Sequence, residues 1–396
     1  MALKTTPFHP RTAALCQGQN WRRWAGHLVA GSYDLVHERE YHAIRSAAAL
    51  LDVSPLYKYR IAGRDAARLL DRMVTRDVAA AAVGQVVYGP WCDAGGKVID
   101  DGTIARLEER TFRLTSAEPN FRWLHLNATG LDVTIDDVSA STAALALQGP
   151  NARVILQQVT DLELGALRYF RIAATTLDGI PVTVSRTGYT GDLGYEIWVP
   201  ADRAVPVWDR LVAAGAPYGL TPCGLLALDV ARIEAGLVLL DVDYVPATRA
   251  LIPNQLSSPF ELNLGWTVKL GKGTFVGRAA LVAEAARGPS WKLVGLETDW
   301  DALEALYAEV GLPPRLPAAA WRTSVPVYAG DRQVGYATSG CWSPLLKKSL
   351  ALAHLEARFA QPGIDLAIEV TVEHRRKRAT ARVVHTPFFD PERKRA

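Results

Sequence analysis

The sequence predicts an α+β protein with two related α+β units and a C-terminal all-β domain that is barrel-like. Three observations support this class. The chain has 396 residues, more than one hydrophobic core usually serves, so two or three domains are expected. An extended run, a glycine turn and an amphipathic helix follow one another twice along the chain. The last part of the chain carries short β-like runs separated by turns.

The first unit begins with helical periodicity over residues 34–51, after which the chain reads as extended through Ile61. Gly63 then introduces a helix that ends near Met73. The same order recurs over 143–156, with Gly149 at the turn. Because there are only two copies, a solenoid is excluded and two related units are predicted.

The segments that follow are assigned by their β-like or helical patterns. Between the copies lie the β-like runs 86–91, 98–107 and 111–115, which predict one antiparallel sheet. Helices are predicted over 204–214 and 224–235, and a shorter one from Asp301 that prolines interrupt. The C-terminal strands have predicted turns at 330–331, 340 and 362–363, and the basic cluster 374–378 is predicted to be an exposed hairpin turn.

Composition excludes several classes of protein. Basic and acidic side chains nearly balance, 44 against 41, so no nucleic-acid partner is expected. No stretch approaches the roughly 18 apolar residues of a membrane span, and the N-terminus has no apolar leader, so we expect a cytoplasmic protein without a membrane partner. The cysteines form no C-x-x-C pair and are expected to be free thiols; they are Cys16, Cys92, Cys223 and Cys341.

Common cofactor motifs are also missing. The histidines at 37 and 42 are one residue too far apart for a zinc-binding H-E-x-x-H helix, so no metal site is predicted. The glycines of 271–277 lack the spacing and the βαβ context of a dinucleotide loop, and there is no phosphate-binding P-loop. Hydride transfer and nucleotide hydrolysis therefore lose support.

The glycine-rich segment 185–198 is the most informative part of the chain. Its glycines allow tight turns and close approach to a ligand, while Tyr189 offers a flat ring and Glu196 a carboxylate. A carboxylate beside an aromatic ring suits a flat heterocycle with N–H donors, such as a pterin. A hairpin whose tyrosines merely pack is the alternative, and the segment alone leaves both open.

Two adjacent acids, Asp100 and Asp101, follow a glycine turn and a short apolar run. In one interpretation both face solvent at a turn. In the other, one carboxylate points into a cleft, where it accepts a proton or anchors a charged group.

Taken together, these segments resemble the folate-binding T-protein, or aminomethyltransferase, family of the glycine cleavage system. The likeness covers most of the chain. The phrases that carry it, in order, are Leu-Asp-Val-Ser at 51–54, Leu-Gln-Gly-Pro at 147–150, Arg-Thr-Gly-Tyr-Thr-Gly at 186–191, Arg-Ile-Glu-Ala-Gly-Leu at 232–237, Leu-Gly-Trp at 264–266, and Thr-Ser-Gly with Ser-Pro at 338–344.

The resemblance implies a three-domain cloverleaf around a central opening that holds tetrahydrofolate. Domain 1 would bind folate and would be discontinuous, comprising residues 1–56 and 144–284. Domain 2, residues 57–143, would be α+β. The last domain, residues 285–396, would be β. By residue-by-residue matching, Asp101 is the catalytic aspartate and Glu196 the acid that grips the pterin. Tyr88 and Tyr189 match pocket tyrosines, and Trp266 is included because it lies in a matched motif.

Departures from the family pattern fall on segments that face the one-carbon donor in the family. Leu228 replaces an active-site arginine, and Pro55 replaces a histidine. From these changes we predict a demethylase that moves a methyl group from a small O-, N- or S-methyl compound to tetrahydrofolate. The residue that would protonate the leaving atom is not assigned, and His27 and Tyr33 are the candidates. Leu228 would form an apolar wall of the donor pocket.

Two alternatives remain. The first is a glycine-cleavage aminomethyltransferase, which would take its aminomethyl group from a lipoylated carrier protein, release ammonia and form methylene-tetrahydrofolate. The second is a non-catalytic folate-binding regulatory protein with the same cleft.

Overall fold

A computed structural model describes residues 3–396. Within these residues the chain forms a three-stranded sheet, a five-stranded sheet, a six-stranded sheet and a closed six-stranded barrel. The predicted α+β class with a C-terminal β-barrel is thus confirmed.

The N-terminal elements form the three-stranded sheet and one inner strand of the six-stranded sheet. They are β1 (Lys4–Thr5), α1 (His9–Leu15), β2 (Trp21–Trp24), β3 (His27–Ala30), α2 (Glu38–Ser46) and β4 (Ala48–Asp52). The predicted helix over 34–51 is wrong at both ends. Residues 33–37 are bends, and Ala48–Asp52 is a strand that pairs with neighbours on both sides. Burial between two strands outweighs the helix propensity of this run.

The five-stranded sheet is antiparallel, with strand order β6-β7-β8-β5-β9. The segment 57–137 supplies β5 (Tyr57–Ala62), α3 (Ala66–Met73), β6 (Val86–Cys92), β7 (Val98–Glu108), β8 (Thr111–Ser116), α4 (Phe121–Asn127) and β9 (Thr134–Asp137). One face of this sheet contributes Trp91, Ile104 and Phe112 to a core shared with the helices. The other face is therefore free to contact the rest of the chain.

The six-stranded sheet has strand order β11-β12-β13-β10-β4-β14. Its remaining elements, with the helices between them, are β10 (Thr142–Gln148), α5 (Ala152–Gln157), β11 (Ile172–Leu177), β12 (Ile180–Ser185), β13 (Gly194–Pro200), α6 (Ala204–Gly215), β14 (Leu220–Pro222) and α7 (Leu225–Glu234). The glycine-rich loop joins β12 to β13. A Cβ on Gly188 or Gly194 would stand about 2.0 or 2.2 Å from the Gln148 side chain, so a larger residue at either position would displace this buried, hydrogen-bonded amide.

The C-terminal elements form the closed barrel, ordered β15-β18-β17-β16-β19-β20. They are α8 (Arg278–Arg287), β15 (Trp291–Thr298), α9 (Trp300–Ala308), β16 (Val325–Ala329), β17 (Arg332–Ser343), β18 (Lys348–Glu356), β19 (Asp365–Val372) and β20 (Arg375–Val384). The predicted turn at Gly340 is wrong, because this glycine lies within β17, where the Trp321 ring packs against it. Most of the basic cluster lies in β20, with only His374 in the turn.

Asp243 joins helix α7 to the barrel. Its buried carboxylate accepts hydrogen bonds from Arg232, from the Leu239 amide at 2.8 Å, and from the hydroxyls of Thr338 and Ser339 on β17 at 2.5 and 2.8 Å. Arg232 is buried and is paired on its other side with Asp229. This charged cluster fixes the barrel against the six-stranded sheet, since each buried charge is neutralised by a neighbour.

All four cysteines are buried free thiols, as predicted. Among residues 3–396, no helix has both the length and the apolar character needed to cross a membrane. The five-stranded sheet is inserted in sequence between β4 and β10 of the six-stranded sheet, and the barrel follows both. The domain boundaries given above remain a prediction.

Candidate active site

Strand β7 places the two adjacent acids on opposite faces of the five-stranded sheet. Asp100 is fully buried on the core side, whereas Asp101 is half-buried on the face that turns toward the six-stranded sheet. The register pairs Thr103 with Tyr88 on β6 and Ala105 with Arg113 on β8. Because side chains two apart share a face, Tyr88, Asp101 and Arg113 all lie on the same side.

Two tyrosines hold the Asp101 carboxylate. The Tyr88 hydroxyl donates to Oδ2 at 2.8 Å, and the hydroxyl of buried Tyr244 donates to Oδ1. Behind it, the Asp100 carboxylate accepts from the Asp101 amide at 2.8 Å and from the Asn120 side chain at 2.7 Å. Asp101 is thus fixed through its side chain and through its backbone.

The charge state of Asp101 reflects two opposed effects. Burial raises the pKa of its carboxyl group above the usual range, while the hydrogen bonds from Tyr244 and Tyr88 lower it. Such a group takes up a proton more readily than an ordinary aspartate. It is suited to proton transfer.

The opposite wall of the site comes from β13 and the glycine-rich loop. Glu196 is half-buried, and its Oε2 accepts a hydrogen bond from the Thr187 hydroxyl at 2.5 Å; that hydroxyl lies 2.8 Å from the Ser185 hydroxyl. Burial raises the pKa of Glu196, and the hydrogen bond from Thr187 and the charge of Arg113 oppose this rise. The other oxygen of Glu196 remains available to a ligand.

Tyr189 belongs to the same wall as Glu196, on the glycine-rich loop. Its hydroxyl donates to the carbonyl oxygen of Val238, which belongs to the same apolar cluster as Tyr244 and the partly buried Tyr88. Burial raises the pKa of Tyr189, and the charge of Asp101 raises it further. The loop that carries Tyr189 therefore faces the Asp101 side of the five-stranded sheet.

An aromatic edge extends the site from Tyr88. The Trp266 ring lies nearly parallel to the Tyr88 ring, with centroids 6.1 Å apart and an angle of 25° between planes. The Arg76 guanidinium lies 5.4 Å from the centroid of Trp266. Trp266 is 57% exposed, so its ring is open to a ligand.

These features fit a pterin. A half-buried carboxylate can accept from paired N–H groups, flat rings line the approach, and a second carboxylate is held in place across the cleft. Of the predicted site residues, the structure assembles Tyr88, Asp101 and Trp266 directly. Glu196 and Tyr189 form the facing wall.

The predicted donor-side residues lie elsewhere. His27 Nδ1 is 3.1 Å from the carbonyl oxygen of Ala25. Tyr33 is buried beside Cys16 and Ala30, and Leu228 packs at the edge of an apolar cluster around α7. The described contacts do not join any of the three to Asp101, so their role in the reaction remains a prediction.

Two residues of the site were missed by sequence reasoning. Tyr244 lies in an irregular segment after α7 with no motif to mark it. Arg113 did carry a signal, because it is the one charged residue within the predicted strand 111–115; in the structure every residue of Thr111–Ser116 is buried.

Comparison with known proteins agrees with this geometry. The family model described as "GCVT N-terminal domain" matches residues 11–272. The model described as "Glycine cleavage T-protein C-terminal barrel domain" matches residues 309–390. The chain belongs to the glycine cleavage T-protein family. The resemblance drawn from the sequence is thereby confirmed.

Relatives and a solved structure extend this family assignment over the whole chain. A protein named aminomethyltransferase from Desulforamulus reducens is 34% identical and aligns with 98% of this chain and 99% of its own length. A protein of the same name from Bacillus cereus is 37% identical, with 89% of each chain covered. The crystal structure of glycine cleavage system aminomethyltransferase T from Bartonella henselae has a TM-score of 0.83 at 24% identity, over 98% of this chain and 99% of that one, and shows the same fold.

As a member of this T-protein family, the chain is an enzyme that transfers one-carbon units with tetrahydrofolate. Methyl removal from a small donor, the leading prediction from sequence, is not confirmed. The names of the relatives favour the aminomethyltransferase alternative over it. The non-catalytic interpretation is not supported.

The Tyr244 hydrogen bond makes a pH-dependent prediction. The Tyr244 hydroxyl stabilises the charged carboxylate, so Tyr244→Phe should raise the pKa of Asp101. If turnover needs that carboxylate, the acid limb of a kcat/KM profile should shift to higher pH in the variant. Tyr328→Phe, a change in the barrel, is the control and should leave the profile unchanged. An unshifted acid limb in Tyr244→Phe would remove this bond from the mechanism.

Proposed function

We propose that the protein is an aminomethyltransferase, which passes a carbon from an aminomethyl donor to tetrahydrofolate and releases ammonia. The observation that carries the proposal is a doubly hydrogen-bonded Asp101 opposite Glu196, in a chain that aligns almost end to end with relatives named aminomethyltransferase. A lipoylated carrier protein is the donor that this activity requires. The product would be methylene-tetrahydrofolate.

When bound, tetrahydrofolate supplies the two nitrogens that receive the one-carbon unit. The protein's part is positioning and proton handling. Glu196 accepts N–H groups of the pterin and fixes its orientation in the cleft. Asp101 faces the opposite wall and takes up or holds the proton that nitrogen loses as the new carbon bond forms.

The tyrosines keep this carboxylate in one orientation. Tyr88 and Tyr244 bond different oxygens of Asp101, so the side chain cannot rotate without breaking one of these bonds. Trp266 and Tyr88 form a flat apolar edge that excludes water from one side of the reacting atoms. A fixed acceptor in a partly dry cleft lowers the cost of bringing reactants into line.

Demethylation is a second candidate because of Leu228. This side chain is half-buried in an apolar cluster at a position where the family motif has an arginine. An uncharged wall suits a methylated donor that carries no negative group, because no buried arginine charge has to be neutralised. The same Asp101 and Glu196 would serve this reaction, so the acceptor side does not distinguish the two candidates.

The product of the reaction separates the candidates. Purified protein is incubated with tetrahydrofolate and either a lipoylated carrier loaded with an aminomethyl group or a panel of O-, N- and S-methyl compounds, and the folate product is identified by mass spectrometry. We expect methylene-tetrahydrofolate and ammonia from the loaded carrier only.

Methyl-tetrahydrofolate from the panel would overturn the aminomethyltransferase proposal in favour of demethylation. Binding of folate without either product would contradict both candidates. Asp136→Asn, which changes an exposed acid on β9 away from the cleft, is the control that should behave as wild type.

A further inference from the structure

Arg113 is a buried cation without an ion pair. It is 8% exposed, and no carboxylate of residues 3–396 lies within 4.0 Å of its guanidinium. Its hydrogen bond to protein runs from Nη1 to the Thr183 hydroxyl at 3.2 Å. Buried arginines are normally neutralised by a partner, so a guanidinium with unused donors indicates an acceptor that a ligand supplies.

The guanidinium is held in a fixed place beside Glu196. It lies 4.1 Å from the centroid of the Trp198 ring. On β13, Trp198 is two residues from Glu196, and on β12 its cross-strand partner is Thr183. Since residues two apart share a face of the sheet, Arg113 stands on the ligand side of the strand that carries the Glu196 carboxylate.

The two side chains influence each other without forming a salt bridge. Burial lowers the pKa of Arg113 to about 10, and the charge of Glu196 acts against this. Glu196 directs one oxygen to Thr187 instead. The site therefore presents a hydrogen-bond donor next to a hydrogen-bond acceptor, both aimed at the same cleft.

We propose that Arg113 reads the carbonyl oxygen of the pterin ring, while Glu196 accepts the neighbouring ring N–H and amino group. The edge of a 4-oxo pterin presents one acceptor followed by two donors, which complements a guanidinium followed by a carboxylate. Arg113 would thus determine specificity for 4-oxo over 4-amino pteridines, because a 4-amino group presents a donor to a donor. The inference rests on the proposed function, in which reduced folate lies in this cleft.

The experiment compares two probes that differ in the 4-substituent and, with it, in the proton on the neighbouring ring nitrogen, so the contribution of Arg113 is taken from the change in preference between wild type and variant. The Kd values of 5-formyltetrahydrofolate and of its 4-amino analogue are measured by calorimetry, with no turnover required. We expect wild type to prefer the 4-oxo compound by at least about tenfold, as a hydrogen bond to a charged group allows. In Arg113→Gln the preference should fall by at least about threefold, with most of the loss in affinity for the 4-oxo compound, while the part that Glu196 contributes through the ring N–H should remain.

Arg60→Gln is the matched control. Arg60 pairs with Arg113 across strands β5 and β8, but it is exposed and contacts Asp136. This variant should keep the wild-type preference. The thermal unfolding temperature of each variant is compared with that of wild type. This comparison shows whether the contacts of Arg113 with Trp198 and Thr183 serve only to stabilise the fold.

Arg113→Lys serves if the glutamine variant does not fold. It keeps the charge and much of the stem but loses the planar fork, so the preference should be intermediate. An unchanged 4-oxo preference in both variants would overturn the inference. So would equal affinity of wild type for the two probes, or a loss of affinity confined to an anionic one-carbon donor. If wild type bound neither probe, the proposed folate site itself would fail.

Discussion

Asp101→Asn should lower kcat by about 10²- to 10⁴-fold, the usual contribution of a positioned acid or base. Asparagine keeps the size of the side chain and can still accept from one tyrosine, but it cannot take up a proton. Affinity for tetrahydrofolate should change far less, because in the proposed site the pterin is held by Glu196 on the opposite wall. Steady-state kinetics and calorimetry on the same preparation measure both effects.

Asp136→Asn is the control for this change, since it removes an exposed carboxylate from the same sheet. Its kcat should match wild type. A kcat for Asp101→Asn within about threefold of wild type would exclude proton transfer by Asp101, given the contribution expected of such a group. A parallel loss of folate binding would instead show that Asp101 acts mainly in holding the ligand.

Asp243→Ala should reduce the free energy of unfolding by about 3–5 kcal/mol, the cost of removing one partner from a buried charged cluster. The change leaves buried Arg232 with only Asp229, and it removes the acceptor for Thr338, Ser339 and the Leu239 amide. Denaturant unfolding, followed by circular dichroism, gives the difference.

Asp241→Ala is the matched control two residues away. Asp241 is exposed and paired with Arg249 at the surface, so its loss should cost less than about 1 kcal/mol. Equal unfolding free energies for the two variants would contradict the assigned role of Asp243. A separate early transition in Asp243→Ala would indicate that the barrel unfolds on its own once this cluster is broken.

The paired acids illustrate how far sequence reasoning reached. It left open whether Asp100 and Asp101 face solvent or a cleft. The structure has the arrangement of the second interpretation, in which one carboxylate, that of Asp101, faces the cleft, while Asp100 is buried and accepts a hydrogen bond from the Asp101 amide. The two-residue period of a strand already implies opposite faces, but the choice of face depends on the helices that cover one side of the sheet.

Errors and omissions arose where distant contacts decide the outcome. The run 48–52 is helical by local propensity and becomes a strand only because β10 and β14 pair with it. Tyr244 reaches Asp101 across 143 positions of sequence, and no local pattern encodes that bond. The glycine-rich loop was recognisable from its composition, although the constraint on glycine at 188 and 194 comes from a distant contact, the Gln148 side chain on β10.

The choice of reaction gave too much weight to a few positions. Leu228 and Pro55 led the sequence interpretation toward demethylation, although such substitutions change only parts of a pocket wall. Identity of 34% over nearly the whole chain with a relative named aminomethyltransferase is a broader observation. The half-buried Leu228 remains the reason to test methyl donors alongside the carrier.

Calorimetric titration of wild type and Glu196→Gln with tetrahydrofolate tests the central claim most directly. The claim is that a reduced pterin lies between Glu196 and Asp101. It predicts binding at one site in wild type and an affinity at least about tenfold lower in the variant, because a charged acceptor of paired N–H groups has been lost. Equal affinity for the two proteins would contradict the claim and place the folate elsewhere.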